Sequence, residues 1–201
     1  GTGETQTGGL TGLVFGSITG ISQWVGRGVI SAVNRLEPLL AQLDAQKTET
    51  YERAAVIAAL NGLLGDRLQA SANPSATPVT LRLHGRVLSP SEPPQANQVT
   101  GKLLIVIHGL CMNDLQWTSQ AEAGSVNQAT AIDEALGYAW VYLRYNSGLH
   151  VSQNGHELAR QLETLLASWP VPISSLSLLT HSMGGLVARS AVASANQAGL
   201  T

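Results

Sequence analysis

The stretch that most constrains the fold is residues 175–195, SLSLLTHSMGGLVARSAVASA. An apolar, strand-like run leads into a Ser-Met-Gly-Gly corner and then into a helix-like run of small residues. This order predicts a nucleophile elbow, which is a strand, a sharp turn with Ser182 at its apex, and a helix. Gly184 suits such a strained turn because it leaves space beside the serine, and Gly185 is expected to let the helix pack closely on the strand. Ser182 is therefore either a nucleophile or a turn residue.

Strands and helices alternate from Lys102 onward. The runs LLIVI, AWVYLRY and SLSLL read as strands, and HELARQLETLLASW reads as an amphipathic helix. Asn154 and Glu157 have the spacing of a helix N-terminal cap. Continuous apolar strands that alternate with helices predict an α/β protein with a mostly parallel sheet flanked by helices.

A second strand end carries polar and glycine residues, in the segment LLIVIHGLCMND. Ligands of open parallel sheets sit at the carboxyl ends of the strands, where both segments finish. The oxyanion of an acyl-transfer intermediate needs two hydrogen-bond donors. We expect one from the backbone N–H of Met183 and the other from that of Leu110, with Gly109 keeping the approach open.

These residues resemble a known family. Residues 79–197 look like the N-terminal half of an α/β-hydrolase, and HGLCMNDLQW, YNSG and THSMGGLVARS are similar to the lipase and esterase branch that includes the GPI inositol-deacylase-like proteins. The resemblance implies that Ser182 is the nucleophile and that Leu110 and Met183 donate to the oxyanion. One departure is Thr180, which stands where this elbow most often has a glycine.

The expected catalytic base has no counterpart after the serine. In this family the acid and then the histidine follow the nucleophile, but residues 183–201 contain no Asp, Glu or His. We therefore expect the triad acid, the triad histidine and the C-terminal strands to be absent from this chain, which would leave the strand at 176–179 on an open sheet edge. His108 and His181 are expected to support the site more than to act as the base.

Further residues follow the strand ends and are candidates for the substrate pocket. Asn113 and Asp114 either line the pocket or build a turn. Tyr145, Asn146 and Ser147 belong to YNSG, which is either a pocket loop or a plain turn. Cys111 is expected to be a packing residue.

The chain divides into two unequal parts, residues 1–72 and 73–201. Apolar residues recur at helical spacing from Leu10 to Leu43 and again from about Tyr51 to Gln69, and the loop SANPSATP follows them. We expect residues 8–43 to pack on the protein itself, on a partner protein or on a membrane surface, or to serve as a lid. After the loop, VTLRLHGRVL alternates like a strand, with a bend at Gly85.

Composition excludes several other classes. Eleven basic residues against 13 acidic ones, with no basic cluster, argue against nucleic-acid binding. A single cysteine allows no internal disulfide and no shared thiolate metal site, so neither a cofactor nor a metal is predicted. The start at Gly1 has no charged segment followed by an apolar run, which favours a cytoplasmic or peripheral membrane location over secretion.

Two functions remain open at this point. One is a serine hydrolase of carboxylic esters, with an ester or lipid substrate. The other is a catalytically silent α/β-hydrolase module used for binding or assembly.

Overall fold

The computed structural model describes residues 50–118 and 136–199 of the chain, except for the side chains of Gln116 and Thr118. The helices are α1 (Tyr51–Ala70), the single turn α2 (Leu115–Thr118), α3 (Val151–Ser168) and α4 (Gly184–Gln197), with a short 3₁₀ helix at Ala96–Gln98. The strands are β1 (Thr80–Leu83), β2 (Arg86–Val87), β3 (Lys102–Ile107), β4 (Ala139–Arg144) and β5 (Ser175–Thr180).

The five strands form one sheet in the order β2-β1-β4-β3-β5. Strands β3, β4 and β5 are parallel, and Ile105 of β3 pairs with Val141 of β4 and Leu178 of β5. Strand β1 runs antiparallel to both of its neighbours. The prediction of a mostly parallel sheet flanked by helices is confirmed.

The hydrophobic core lies between this sheet and the helices α3 and α4. The buried residues Ile105, Val141, Leu158 and Val187 belong to one apolar cluster that joins the strands to both helices. The two helices approach each other closely at Gly155, where a Cβ atom would lie 2.4 Å from the Cβ of Ser190. Packing the two helices together on one face leaves the carboxyl ends of the parallel strands free to carry loops.

The segment VTLRLHGRVL is a hairpin and not the single bent strand that its alternation predicts. Leu83 pairs with Arg86, and the two residues between them, His84 and Gly85, both have positive φ, 48° and 77°. A two-residue turn with two positive φ values matches the twist of the strands it connects. The expected bend at Gly85 is therefore a full reversal of the chain.

Helix α3 begins earlier than predicted. Its cap is His150, whose backbone N–H donates to Gln153 Oε1, and not Asn154. Asn154 lies inside the helix, is buried, and donates from Nδ2 to the carbonyl of Asn146. The polar residue that resembles a cap therefore holds the preceding loop.

Strand β5 forms the sheet edge within the described ranges, as expected for residues 176–179. Its Leu176 and Leu178 side chains are 42% and 36% exposed. The predicted helical stretch from Leu10 to Leu43 lies outside the described residues. In the ranges that are described, no helix is long and apolar enough to span a membrane.

Helix α1 matches its prediction closely. Thr50 caps it, with Oγ1 accepting a hydrogen bond from the N–H of Arg53 at 3.2 Å. The loop that follows is tied back to the helix by the buried Asn61, which donates to the carbonyl of Ser75 and accepts from the N–H of Thr77. The end of SANPSATP therefore has a fixed position beside α1.

Candidate active site

Ser182 lies at the apex of a tight turn between β5 and α4. Its φ is +53°, a left-handed conformation that side chains other than glycine adopt rarely and at some cost in free energy. The turn is closed by two local hydrogen bonds, from Gly184 N–H to the carbonyl of His181 and from Gly185 N–H to the carbonyl of Ser182. The serine side chain is exposed at the carboxyl end of the sheet. This geometry has the form of a nucleophile elbow.

The two glycines after the turn have different roles. A Cβ atom on Gly184 would lie 2.7 Å from the carbonyl oxygens of both Ile107 and His108, too close for any side chain. A Cβ atom on Gly185 would meet only Thr180 Oγ1 at an ordinary 3.4 Å. The expectation that Gly185 permits the close packing is therefore wrong, because Gly184 is the residue that contacts the strand backbone.

The loop after β3 approaches the serine directly. A Cβ atom on Gly109 would lie 3.2 Å from Ser182 Cβ and 3.0 Å from His181 Nδ1. Gly109 therefore permits the contact between this loop, residues 108–114, and the elbow. We call residues 108–114 the oxyanion loop from here on, after the role that the family resemblance predicts for them.

Two backbone N–H groups are available beside Ser182. In the ranges that the structure describes, the N–H groups of Leu110 and Met183 donate to no other protein group. The neighbouring N–H of Cys111, by contrast, donates to Ser147 Oγ at 3.0 Å. Met183 is also the cap of α4, so its N–H lies at the positive end of that helix.

Cys111 is a second strained residue in the site. Its φ is +58°, close to that of Ser182. Its Sγ packs on α1, where a Cβ atom on Gly62 would come within 2.3 Å of it. Burial raises the pKa of the thiol, which favours the neutral form expected of a packing residue.

His108 supports the oxyanion loop from beneath. Its ring is fully buried and stacks on Tyr145 at 4.2 Å between ring centroids. Its Nδ1 lies 2.9 Å from the carbonyl of Gly109 and must donate, because a carbonyl oxygen only accepts. Burial lowers the pKa of His108 to about 4, so the ring is neutral near pH 7. Tyr145 adds a hydroxyl donor to the carbonyl of His108 at 2.7 Å.

Asn113 and Asp114 fix the far end of the oxyanion loop. Asn113 Oδ1 accepts from the N–H of Leu115 at 2.9 Å, which starts α2. Asp114 is buried and pairs with Arg144 of β4 and with Arg82 of β1. Asn113 and Tyr145 line a cavity of about 250 Å³, which Arg53, Arg82 and Arg144 also line.

The YNSG segment after β4 is buried and holds α1. Asn146 Nδ2 donates to the carbonyl of Gly65 at 3.0 Å, and a Cβ atom on Gly65 would lie 1.9 Å from Asn146 Oδ1. The backbone of α1 departs from helical angles next to that carbonyl, at Leu64. Gly148 contacts α1 as closely, because its Cβ position lies 2.0 Å from the carbonyl oxygen of Asn61.

Sequence reasoning named Leu110 for its backbone N–H, but it did not place the aromatic and apolar side chains around the serine. Trp117 lies edge-on to His181, with 6.5 Å between ring centroids. Leu110 and Leu186 are 50% and 57% exposed, one on the oxyanion loop and one in the first turn of α4. Their placement needs the loop geometry, for which the sequence pattern carries no signal.

The remaining described histidines have other positions. His150 caps α3, and His156 Nδ1 lies 3.0 Å from Ser194 Oγ between α3 and α4. His181 is exposed beside Gly109. Among the described residues no group of three or more His, Cys, Asp or Glu side chains could hold a metal ion.

Comparison with known families places the chain. A model of the PGAP1-like alpha/beta domain matches residues 98–199, about half of the chain, and this range contains both the oxyanion loop and the elbow. Searches of curated proteins and of solved structures found no match. The family is related to hydrolases and supports a general hydrolase function. The chain therefore belongs to the PGAP1-like family, a GPI inositol-deacylase-like family of the α/β-hydrolase superfamily, as its motifs predicted.

Proposed function

We propose that this chain carries the nucleophile and the oxyanion donors of a serine hydrolase that cleaves carboxylic esters. Ser182 Oγ attacks the ester carbonyl carbon, its proton passes to a base, and the alcohol leaves with a proton to give an acyl-serine. Water then hydrolyses the acyl-serine and restores the hydroxyl. The observation that carries this proposal is an exposed serine in a left-handed turn, in contact with a glycine of the neighbouring strand-end loop.

Charge stabilisation comes from the backbone in this proposal. The N–H groups of Leu110 and Met183 act as the two donors to the oxyanion, and the N-terminus of α4 adds a favourable dipole. Met183 follows Ser182 directly, and Leu110 follows the glycine that contacts it. Both donors are backbone groups, so they are preorganised before the substrate binds.

Apolar acyl groups are the substrate class that the surroundings favour. Leu110 and Leu186 are both at least half exposed, on the two elements that meet at Ser182. Large exposed apolar side chains beside a reactive group offer surface that an acyl chain can cover. Helix α1 contacts Cys111 of the oxyanion loop, so it bounds the site on that side.

A second function is favoured by a specific observation. Residues 183–201 carry no acid or histidine, and among the described residues His108, His150 and His156 are engaged elsewhere. A catalytically silent module for binding or assembly would keep the elbow and lack the base. Such a module would differ from the hydrolase in that Ser182 would form no covalent bond with an ester or a probe.

The test is labelling with a fluorophosphonate probe, using protein expressed from the full reading frame that encodes this chain. We expect the probe to label the protein and Ser182→Ala to abolish labelling, with ester turnover falling by about 10⁴-fold or more. Ser194→Ala is the matched control, because that serine contacts the His156 ring nitrogen at 3.0 Å but lies between α3 and α4, away from the elbow. Equal labelling of wild type and Ser182→Ala would refute the assignment, and no labelling of folded wild type would favour the silent module.

A further inference from the structure

We propose that Ser147 is a positioning residue for the oxyanion hole. This inference rests on the proposed function, because it assigns a role in placing the N–H of Leu110. The residue belongs to YNSG, which the sequence left as either a pocket loop or a plain turn. Its hydroxyl does not face Ser182 in this role; it acts on the backbone of Cys111.

The contact is specific in its geometry. Ser147 is 3% exposed, and its Oγ accepts the N–H of Cys111 at 3.0 Å across 36 positions of sequence. The peptide unit that carries the Cys111 N–H also carries the carbonyl of Leu110. Fixing that peptide restricts the ψ angle of Leu110 and the φ angle of Cys111, which is +58°. The hydroxyl therefore stabilises an uncommon backbone angle next to the proposed donor.

Removing the hydroxyl would affect this backbone in two ways. The N–H of Cys111 would lose its partner in a partly buried place, which penalises the present conformation. The left-handed angle at Cys111 would also lose a compensating interaction, and such angles persist only where the surroundings enforce them. The loop could then relax, and the N–H of Leu110 would leave the direction that the oxyanion requires.

Ser147 is itself held firmly enough to act as an anchor. Its neighbour Tyr145 donates to the carbonyl of His108, and its neighbour Asn146 donates to the carbonyl of Gly65. These bonds attach the segment to the base of the oxyanion loop and to α1. A hydroxyl in a fixed segment can impose a position on the loop, whereas one in a mobile turn could not.

The experiment measures ester turnover and the rate of fluorophosphonate labelling in Ser147→Ala, with protein from the full reading frame. We expect kcat and the labelling rate to fall by about 10-fold to 10²-fold, as small displacements of catalytic groups do, with KM within about twofold. Ser194→Ala is the control, because it loses a hydroxyl contact of the same 3.0 Å length away from the site. Thermal unfolding establishes the folded fraction of each variant.

A second background separates positioning from general destabilisation. Cys111→Gly adopts a positive φ without a compensating bond, so adding Ser147→Ala to it should cost less than about threefold in kcat. An equal loss in both backgrounds would overturn the proposal. So would Ser147→Ala activity and labelling at the wild-type level.

The outcomes for Ser147 and for Ser182 are distinguishable. If Ser182→Ala still labels, the proposed function fails whatever Ser147 does. If labelling depends on Ser182 but is unchanged in Ser147→Ala, the nucleophile assignment stands and the positioning role is wrong. A raised KM with unchanged kcat in Ser147→Ala would also contradict positioning, because it would indicate a substrate contact.

Discussion

The elbow and the oxyanion loop each contain a residue other than glycine in a left-handed conformation, but they stabilise it differently. Ser182, at φ +53°, sits in a turn whose hydrogen bonds join residues three positions apart. Cys111, at φ +58°, depends on Ser147 and on contact with Gly62 of α1. One strained turn is thus encoded locally, and the other is imposed by distant parts of the chain.

This difference separates two kinds of mutational effect. Changes in the elbow should act through the few residues around Ser182. The effects of substitutions in the oxyanion loop should also be produced by substitutions in the segments that support it, such as YNSG and α1. Among variants that keep the Ser182 hydroxyl, a substitution at Gly109 should have the largest effect, because both regions meet there.

Among variants that keep the Ser182 hydroxyl, the largest effect is expected at that meeting point, in Gly109→Val. Its branched side chain would collide with Ser182 Cβ and His181 Nδ1, 3.2 and 3.0 Å from the Cβ position, and would push the loop from the elbow. Losing one oxyanion donor lowers turnover by about 10²-fold to 10³-fold. Leu110→Ala should be mild, because it keeps the backbone N–H and loses only apolar side-chain surface. Unchanged turnover in folded Gly109→Val would refute the shared site.

The next effect is a change in the free energy of unfolding with pH, which arises from His108 beneath the oxyanion loop. Burial lowers the pKa of His108 from 6.5 to about 4 in the folded protein. Between those values the unfolded chain binds more protons, so the free energy of unfolding falls as the pH drops from 6.5 to 4, by about 3 kcal/mol in all. Above pH 6.5 the His108 ring is neutral in both the folded and the unfolded chain, so it no longer changes the free energy of unfolding with pH.

Denaturant unfolding at pH 5 and pH 7 measures this term. His108→Gln removes the titrating group, so its stability should change less between the two pH values than that of the wild type. Glu157, whose pKa the Arg160 guanidinium lowers, contributes only at more acidic pH. Equal pH slopes for wild type and His108→Gln would contradict the burial of a neutral ring.

A smaller effect compares two adjacent glycines of the elbow. Gly184→Ala places a methyl group against two carbonyl oxygens and should lower the free energy of unfolding by about 1–3 kcal/mol, as overpacking does. Gly185→Ala has an ordinary contact and should change stability by less than about 1 kcal/mol. Chemical denaturation measures both. A larger loss in Gly185→Ala would mean that the elbow packs differently.

The smallest effect is expected from one hydroxyl beneath the oxyanion loop. Tyr145→Phe keeps the stacking on His108 and loses the donor to its carbonyl, which should lower the free energy of unfolding by about 1 kcal/mol. Tyr138→Phe is the control, because its hydroxyl contacts Ser175 and Ser177 of β5, the latter at a long 3.5 Å, and does not touch the oxyanion loop. Equal unfolding midpoints in the two variants would show that the Tyr145 bond adds nothing to the loop.

The features that could be predicted from the sequence are those that local residues encode, as in the elbow. The apolar strands, α1 and the elbow rest on local patterns, so periodicity and the order of small residues located them. The hairpin at His84 and Gly85 was missed because a two-residue turn barely interrupts the alternation. Asn154 was misassigned as a cap because asparagine is common both at helix N-termini and at buried hydrogen-bonded positions. Only its tertiary contacts show which of the two it is.

The supports of the oxyanion loop carry no local signal. Nothing in the order of residues around Ser147 indicates that its hydroxyl reaches Cys111, and nothing around Gly65 indicates that its carbonyl accepts from Asn146. The first pair forms only when the β4–α3 connection meets the oxyanion loop, and the second only when that connection meets α1. The motif locates the residues of the site, and the fold determines which of them act on one another.

The most direct test of the shared site is a crystal structure of the phosphonate adduct, made with protein from the full reading frame. We expect phosphorus on Ser182 Oγ, with one phosphonyl oxygen about 2.7–3.1 Å from the backbone nitrogens of both Leu110 and Met183, the distances of an oxyanion hole. An adduct on another residue would contradict the nucleophile. A phosphonyl oxygen turned away from Leu110 would contradict the joint action of the two turns.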